Sequence, residues 1–256
     1  LATNLFFVVP NASAADSNTI YKTSFSDYVN TGSPSGWTKA SYLVKDGTEV
    51  ANTESYAYSK SETGHNNILG INSNSSALKS SDCVDVVPFG KVISTGKLHI
   101  SYDAKATNDG SYAGEVTTVL FNAGTGTDNK YDNAAEGIPN ANVTFGQYNP
   151  YDANDFRGSL GEHISDLMAI RYPKDHTGGK VYTTGSNGGR RYGCYGETNT
   201  VVQEDQWYHV DMIIDLDAST PNYKAWLNGQ LLTTSALNLR GGDFAKFKGL
   251  GFRQTN

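Results

Sequence analysis

Cysteine is nearly absent. Cys83 and Cys194 are the two in 256 residues, and a pair so far apart builds neither a zinc cluster nor a CxxC redox motif. A single disulfide in an oxidising compartment and two buried thiols both stay open for them. Basic residues are outnumbered, with 20 Lys and Arg against 26 Asp and Glu and a net charge of −6. That balance sets nucleic acid aside, because a phosphate backbone has to be met by a clustered positive surface. Beyond Leu5 to Val9, no apolar run approaches the roughly 20 residues of a membrane span, so no membrane insertion is expected. Helix formers are thin and no 3.6-residue apolar period is sustained, which excludes a helical bundle. A helical turn around Gly158 to Ser165 is the one weak exception. The glycine-rich fragments at Gly124 to Gly126 and Gly178 to Lys180 lack the helix that completes a phosphate cradle. His65, His163 and His176 show no metal-ligand spacing, so zinc is not expected.

Glycine and tyrosine are plentiful, at 27 and 16 residues, and with many Ser, Thr and Asn residues they point to turns and strands. The apolar run Leu5 to Val9, then Pro10, Asn11 and Ala12-Ser13-Ala14, has the order of an export signal, with cleavage after Ala14 or Ala15. Residues 1–15 are therefore read as the remnant of a signal peptide, and 16–256 as a single secreted β-domain. A first β-strand, even one donated to a neighbouring subunit, is the alternative for Leu5 to Val9. Asn74-Ser75-Ser76 and Asn142-Val143-Thr144 are sequons that matter in a eukaryotic secretory pathway.

Alternation along the chain predicts strands and their faces. In Trp207 to Asp217, the residues Tyr208, Val210, Met212, Ile214 and Leu216 fall on one face. Trp207, His209, Asp211, Asp215 and Asp217 fall on the other, with Ile213 the apolar intruder. In Lys97 to Ala104, Leu98, Ile100, Tyr102 and Ala104 point inward and Lys97, His99, Ser101 and Asp103 outward. Tyr223, Ala225 and Leu227 share a face ahead of Asn228-Gly229, a strong hairpin signal. Further strands are expected at Tyr21 to Phe25, Ala40 to Val44, Ser55 to Lys60, Val84 to Val87, Glu115 to Asn122, Val143 to Tyr148, Leu167 to Tyr172, Lys180 to Thr184 and Lys248 to Arg253. This spacing predicts two packed antiparallel sheets. Ala123 to Gly137 reads as one extended loop.

The run Gln206 to Leu232, with its Trp-x-x-Val entry, apolar strand and aromatic strand ending in Asn-Gly, resembles the core of concanavalin A-like and laminin-G-like jelly rolls. Thr23 to Trp37 is similar to the first strand and Pro-x-Gly-Trp turn of secreted polysaccharide-associated modules of this class. The resemblance implies an all-β, two-sheet antiparallel jelly-roll sandwich that binds glycans through a sheet face or its rim. It further implies a closing strand beside the first, whereas the chain stops at Phe252 to Asn256, so truncation at the C-terminal strand, or a final strand supplied from elsewhere, is expected.

Sugar binding needs flat aromatic faces and fixed donors and acceptors. Their densest supply lies between Phe145 and Glu197, giving Tyr148, Tyr151, Arg157, Tyr172, Tyr182, Asn187, Arg190, Arg191 and Tyr192 as candidate ligand-binding residues. Trp226 joins them because it lies opposite the Tyr223, Ala225 and Leu227 face, while Trp37 and Trp207 are read as packing residues. Catalytic carboxylates could come from Glu115, Glu162, Asp166 and Glu197. However, the Glu-x-Asp-x-x-Glu signature of jelly-roll glucanases and the Arg-rich and Gln-x-His motifs of jelly-roll alginate lyases are both missing. Oxygen-rich loops around Asp103, Asp109 and Asp128, and at Asp215 to Asp217, offer ligands to a structural calcium, with ordinary Asx turns as the alternative. If the strands carrying His99 with Asp103 and His209 with Asp211 are neighbours, a polar cluster forms on one sheet.

The expectation is an extracellular carbohydrate-binding module, acting on a polysaccharide or glycan within a larger secreted protein. A glycoside hydrolase or polysaccharide lyase on the same fold, and an adhesion or assembly module that binds protein, are the rivals.

Overall fold

The computed structural model describes residues 19–25, 28, 32–39, 42–45, 48–51, 55–73, 83–105, 114–122, 164–172, 179–184, 195–232, 234–239 and 246–254. The Leu5 to Val9 run, the Ala123 to Gly137 loop, the strand expected at Val143 to Tyr148, both sequons and Cys194 lie outside them. Every regular element among the described residues is a strand.

In chain order the strands are β1 (Thr38–Lys39), β2 (Tyr42–Lys45), β3 (Thr48–Ala51), β4 (Ser55–Glu62), β5 (His65–Ser73), β6 (Cys83–Ile93), β7 (Lys97–Ala104) and β8 (Gly114–Asn122). There follow β9 (Ile164–Tyr172), β10 (Gly179–Thr184), β11 (Tyr195–Val202), β12 (Tyr208–Asp215), β13 (Asn222–Leu227), β14 (Gln230–Leu231), β15 (Leu237–Asn238) and β16 (Phe247–Gln254). The larger sheet runs β1-β6-β16-β8-β9-β10-β11. The smaller runs β14-β13-β12-β7, with β15 also on β13. Together they form a two-sheet antiparallel sandwich of the jelly-roll kind, and β2-β3 and β4-β5 are separate hairpins.

The smaller sheet follows the sequence alternation closely. Tyr208, Val210, Met212 and Ile214 on β12, Leu98, Ile100, Tyr102 and Ala104 on β7, and Tyr223, Ala225 and Leu227 on β13 are all buried. They pack into one core with Val87, Leu120, Leu167, Ile170, Val181, Leu250 and Phe252 of the larger sheet. Burial of each full-sized aliphatic chain contributes about 1.5–3 kcal/mol. Two buried tyrosines of the smaller sheet reach across this core. The Tyr102 hydroxyl bonds the Thr118 hydroxyl on β8, and the Tyr223 hydroxyl donates to the Leu167 carbonyl on β9. The Tyr102 ring also meets Phe252 edge-on, with centroids 5.1 Å apart. A phenol brings a polar atom into a dry core, and these partners satisfy it. The Asn228-Gly229 signal is fulfilled: φ is 50° at Asn228 and 77° at Gly229, the positive values that a tight hairpin return requires.

Two strand expectations need correction. Tyr21 to Phe25 is not a strand. Phe25 has φ 55°, its N–H donates to Thr23 Oγ1 at 2.9 Å, and its carbonyl accepts the Tyr28 N–H at 3.0 Å. A turn has displaced the extended form, and it lets Phe25 pack on Trp37, which in turn stacks on Phe252. The strand expected to end at Val87 continues to Ile93. The ladder with β16 shifts register beyond Pro88, and Gly90 takes φ 67°, so the chain passes the proline, which has no ladder donor, by an irregularity rather than by stopping. Of the helical turn expected around Gly158 to Ser165, residues 158–163 lie outside the described residues, and Ile164 and Ser165 belong to β9. Lys248 to Arg253, at the C-terminal end, falls within β16, which is inserted between β6 and β8.

Candidate functional site

Antiparallel pairing of β7 with β12 sets His209 opposite Asp103, Asp211 opposite Ser101, Ile213 opposite His99 and Asp215 opposite Lys97. Because the alternate residues are committed to the core, all of these lie on the outer face. The two strands then exchange partners. His209 Nδ1 lies 2.6 Å from Asp103 Oδ1, and His209 Nε2 lies 3.1 Å from Asp211 Oδ2. His99 Nε2 reaches diagonally to Asp211 Oδ1 at 3.0 Å. Each histidine thus bonds a carboxylate of the other strand, and His209 also bonds Asp211 on its own. The cluster expected from sequence is present and is cross-strand in its bonding.

An ionised carboxylate only accepts, so a ring nitrogen facing one donates. His209 satisfies both Asp103 and Asp211 together only as the doubly protonated ring. With a single proton on Nδ1, it accepts instead from the Ser101 hydroxyl, whose Oγ lies 3.3 Å from Nε2. The His209 backbone is held as well, since its N–H donates to Asn228 Oδ1 at 2.8 Å.

β13 extends the face. Trp226 stands opposite Asp211 on one side and Leu231 of β14 on the other, and Lys224 stands opposite Ile213. Trp226 is half-buried, while Lys224 and Ile213 are exposed. At the Asp103 end, His65 of β5 approaches Asp103 Oδ2 at 4.0 Å and stacks on Trp207, with ring centroids 4.0 Å apart and planes 17° apart. Lys105 lies over the Trp207 ring at 5.5 Å and pairs with Glu62 at 2.6 Å. Trp207 is therefore a packing residue, but one that packs polar neighbours at the rim. At the far end Lys97 bonds Asp215 at 3.0 Å, and this hydrogen bond leads the causes that hold the Asp215 carboxyl below its ordinary value of 3.8.

The sequence-derived candidates fare unevenly. Trp226 sits on this polar face. Tyr172 is placed on β9 opposite Gly114, and Tyr182 on β10 between Ala169 and Glu197. Tyr148, Tyr151, Arg157, Asn187, Arg190, Arg191 and Tyr192 lie outside the described residues. Among the catalytic carboxylate candidates, Glu115 is opposite Arg171 and Asp166 opposite Val119, while Glu162 lies outside the described residues. For calcium, Asp103 directs one carboxylate oxygen at His209 and the other toward His65. A hard cation takes about six to eight oxygen ligands, so imidazoles at both oxygens do not fit it. Asp109 and Asp128 lie outside the described residues, and Asp215 accepts the Asp217 N–H at 3.1 Å in an Asx turn. Among the described residues no group of three His, Cys, Asp or Glu side chains is disposed to hold a metal ion. His65, Lys105 and Glu62 were not legible as neighbours of this face.

No protein-family model matches the chain, and no curated protein sequence does. Among solved structures, the chain is similar to an alginate lyase mutant in complex with alginate trisaccharide, at 14% identity and TM-score 0.39, over 99% of this chain and 88% of that one. It is similar to the globular domain of T. cruzi calreticulin at 10% identity and TM-score 0.43, over 89% and 83% of the two chains. An endo-β-1,4-glucuronan lyase from the fungus Trichoderma reesei matches at 10% identity and TM-score 0.34, over 88% and 92%. Likenesses this distant leave the assignment of function to the chain's own residues.

Proposed function

We propose that the chain is a carbohydrate-binding module of a secreted protein and that it takes its ligand on the outer face of the smaller sheet. One observation carries this reading: half-buried Trp226 stands in register with Asp211, whose carboxylate is fixed by His99 and His209 on a rigid three-strand frame. An indole beside oriented acceptors is what a sugar ring needs, with its C–H face on the aromatic and its hydroxyls on the polar groups. The export-like order of Leu5 to Ala15 supports the extracellular setting.

A catalytic reading of the same face is weaker. Ser101, His209 and Asp103 have the connectivity of a nucleophile, a base and an orienting acid. Yet Asp211 Oδ2, at 3.1 Å, is nearer to Nε2 than the Ser101 Oγ, at 3.3 Å. Ser101 is also 5% exposed, in the middle of a paired strand rather than at a sharp turn. Its strand N–H groups belong to the ladder and do not converge on an oxyanion.

The test is retention on insoluble polysaccharides and a glycan array, with reducing-end and unsaturated products followed in the same tubes. Retention without products, weakened in Trp226→Ala while its near-ultraviolet circular dichroism still reports a packed core, is the expected outcome. Release of products, or retention unaffected by Trp226→Ala, would overturn the assignment of function or of site respectively.

A further inference from the structure

Granting that this face binds carbohydrate, we infer that Asp211 makes it selective for neutral, hydroxyl-bearing sugar rings over uronates. A carboxylate offers about four lone-pair sites. On Asp211, one oxygen receives His99 Nε2 at 3.0 Å and the other faces His209 Nε2 at 3.1 Å. Each oxygen therefore keeps acceptor capacity on the side away from its histidine. Its carboxylate is about a quarter exposed, enough to meet a ligand and too little to rotate freely in solvent.

Trp226 is directly across the strand pair from Asp211. Opposite positions bring side chains about 4.5–5.5 Å apart at Cβ, so a ring stacked on the indole presents its edge to this carboxylate. Two neighbouring hydroxyls on that edge can donate one bond to each oxygen. A ring carboxylate in the same place has no proton to donate and meets like charge.

The other groups on the face do not reverse this preference: His99 and His209 direct their ring nitrogens at Asp211 itself, and His209 also at Asp103, so they are spent on the carboxylates already there. Lys97 is engaged by Asp215 at the far end. Lys224 lies one row along β13, opposite Ile213 rather than Asp211, and successive same-face residues on a strand are about 6.6 Å apart. Asp103, facing His209 from the opposite row, adds a second negative charge on the side away from Lys224. The subsite at Trp226 is thus acceptor-rich, with the lysines of the face displaced from it.

Affinity electrophoresis of the full chain in gels containing xylan, glucomannan or mixed-linkage β-glucan, against alginate and polygalacturonate, separates the outcomes. The expected result is retardation by at least one neutral polymer, little changed between low salt and 0.5 M NaCl, with weak or no retardation by the uronates. Asp211→Asn keeps the shape and replaces one acceptor by a donor. It should weaken neutral binding by about tenfold or more, the size of a lost charge-assisted hydrogen bond. Stronger retardation by uronates than by neutral polymers, lost at high salt, would overturn the selectivity while leaving a carbohydrate module standing. Neutral binding untouched in Asp211→Asn would remove Asp211 from the role. Retardation by none of the polymers would take down the carbohydrate reading and this inference together. The wild-type comparison of polymers and salt decides the selectivity even if the variant does not fold.

Discussion

The two faces of β7, β12 and β13, the long strands of the smaller sheet, obey opposite rules. On the inner face, polar atoms are few, and the Tyr102 and Tyr223 hydroxyls are answered from the other sheet by Thr118 and the Leu167 carbonyl. On the outer face, polar atoms are many and answer one another, in a ladder from Lys97 and Asp215 through His99, Asp211 and His209 to Asp103. The inner bonds close a core. The outer ones fix side chains in place without exhausting their bonding capacity, which is the condition for recognising a ligand at low entropic cost. Substitutions on the two faces should therefore separate stability from binding.

The inner face should show the largest effect. Met212 is fully buried at the centre of β12, and Met212→Ala should cost about 2–5 kcal/mol, seen as a lower urea midpoint. Glycan retention by the fraction still folded should be unchanged, because the outer residues keep their register. A stable Met212→Ala protein that had lost binding would show the two faces to be coupled.

Tyr102 sharpens the contrast through pH. Burial pushes its phenol well above the ordinary value of 10, and the bond with Thr118 offsets this only in part. The folded state thus resists ionisation that the unfolded chain undergoes freely. Stability from this group is complete below about pH 10 and is lost as pH rises beyond it. Tyr102→Phe should remove that alkaline loss, and at neutral pH should cost about 1 kcal/mol for the missing hydrogen bond. Denaturant titrations at neutral and alkaline pH check both parts, and equal alkaline sensitivity in the two proteins would disprove the assignment.

Asp103 brings the outer face into the comparison. Asp103→Asn leaves an acceptor for His209 Nδ1 but removes the charge, and because the pair is partly exposed the stability change should be about 0.2–1 kcal/mol. Glycan binding should fall by more than this change in stability accounts for, since a neutral amide holds the ring that positions Asp211 less firmly than the carboxylate does. Parallel unfolding and affinity-electrophoresis series test the difference.

How much of this was legible in the sequence depended on how local the cause was. The alternation of Lys97 to Ala104 and of Tyr208 to Leu216 predicted both faces, and Asn228-Gly229 predicted the hairpin, because the period of a strand and the φ of a turn are set by neighbouring residues. The register between β7 and β12, separated by some hundred residues of chain, was conditional on the strands being neighbours. His65 was illegible as part of the face: it opens a strand that pairs with β4, and its stacking on Trp207 depends on how two sheets meet. Tyr21 to Phe25 misled because aromatic and β-branched residues favour strands in general, while Thr23 Oγ1 captured the Phe25 N–H and turned the chain.

The smallest expected effect lies at the end of the ladder farthest from Trp207. Lys97 and Asp215 are Cα partners at the start of β7 and the end of β12, with their charged atoms 3.0 Å apart and the lysine largely in solvent. The hydrogen bond from Lys97 lowers the Asp215 carboxyl in the folded state. Its contribution is therefore present above the unfolded-state value and is lost as pH falls through the folded one. In solvent such a pair is screened by salt. Lys97→Ala should thus leave the urea midpoint at neutral pH unchanged within error, and should move the Asp215 titration, followed by carboxyl-carbon NMR, upward toward its ordinary value. It should also leave glycan retention intact, because Asp211 is held by His99 and His209 and not by Lys97. A loss of binding in Lys97→Ala would mean that the ladder acts as one electrostatic unit, and the division between a ligand-holding centre and a structural end would have to be withdrawn.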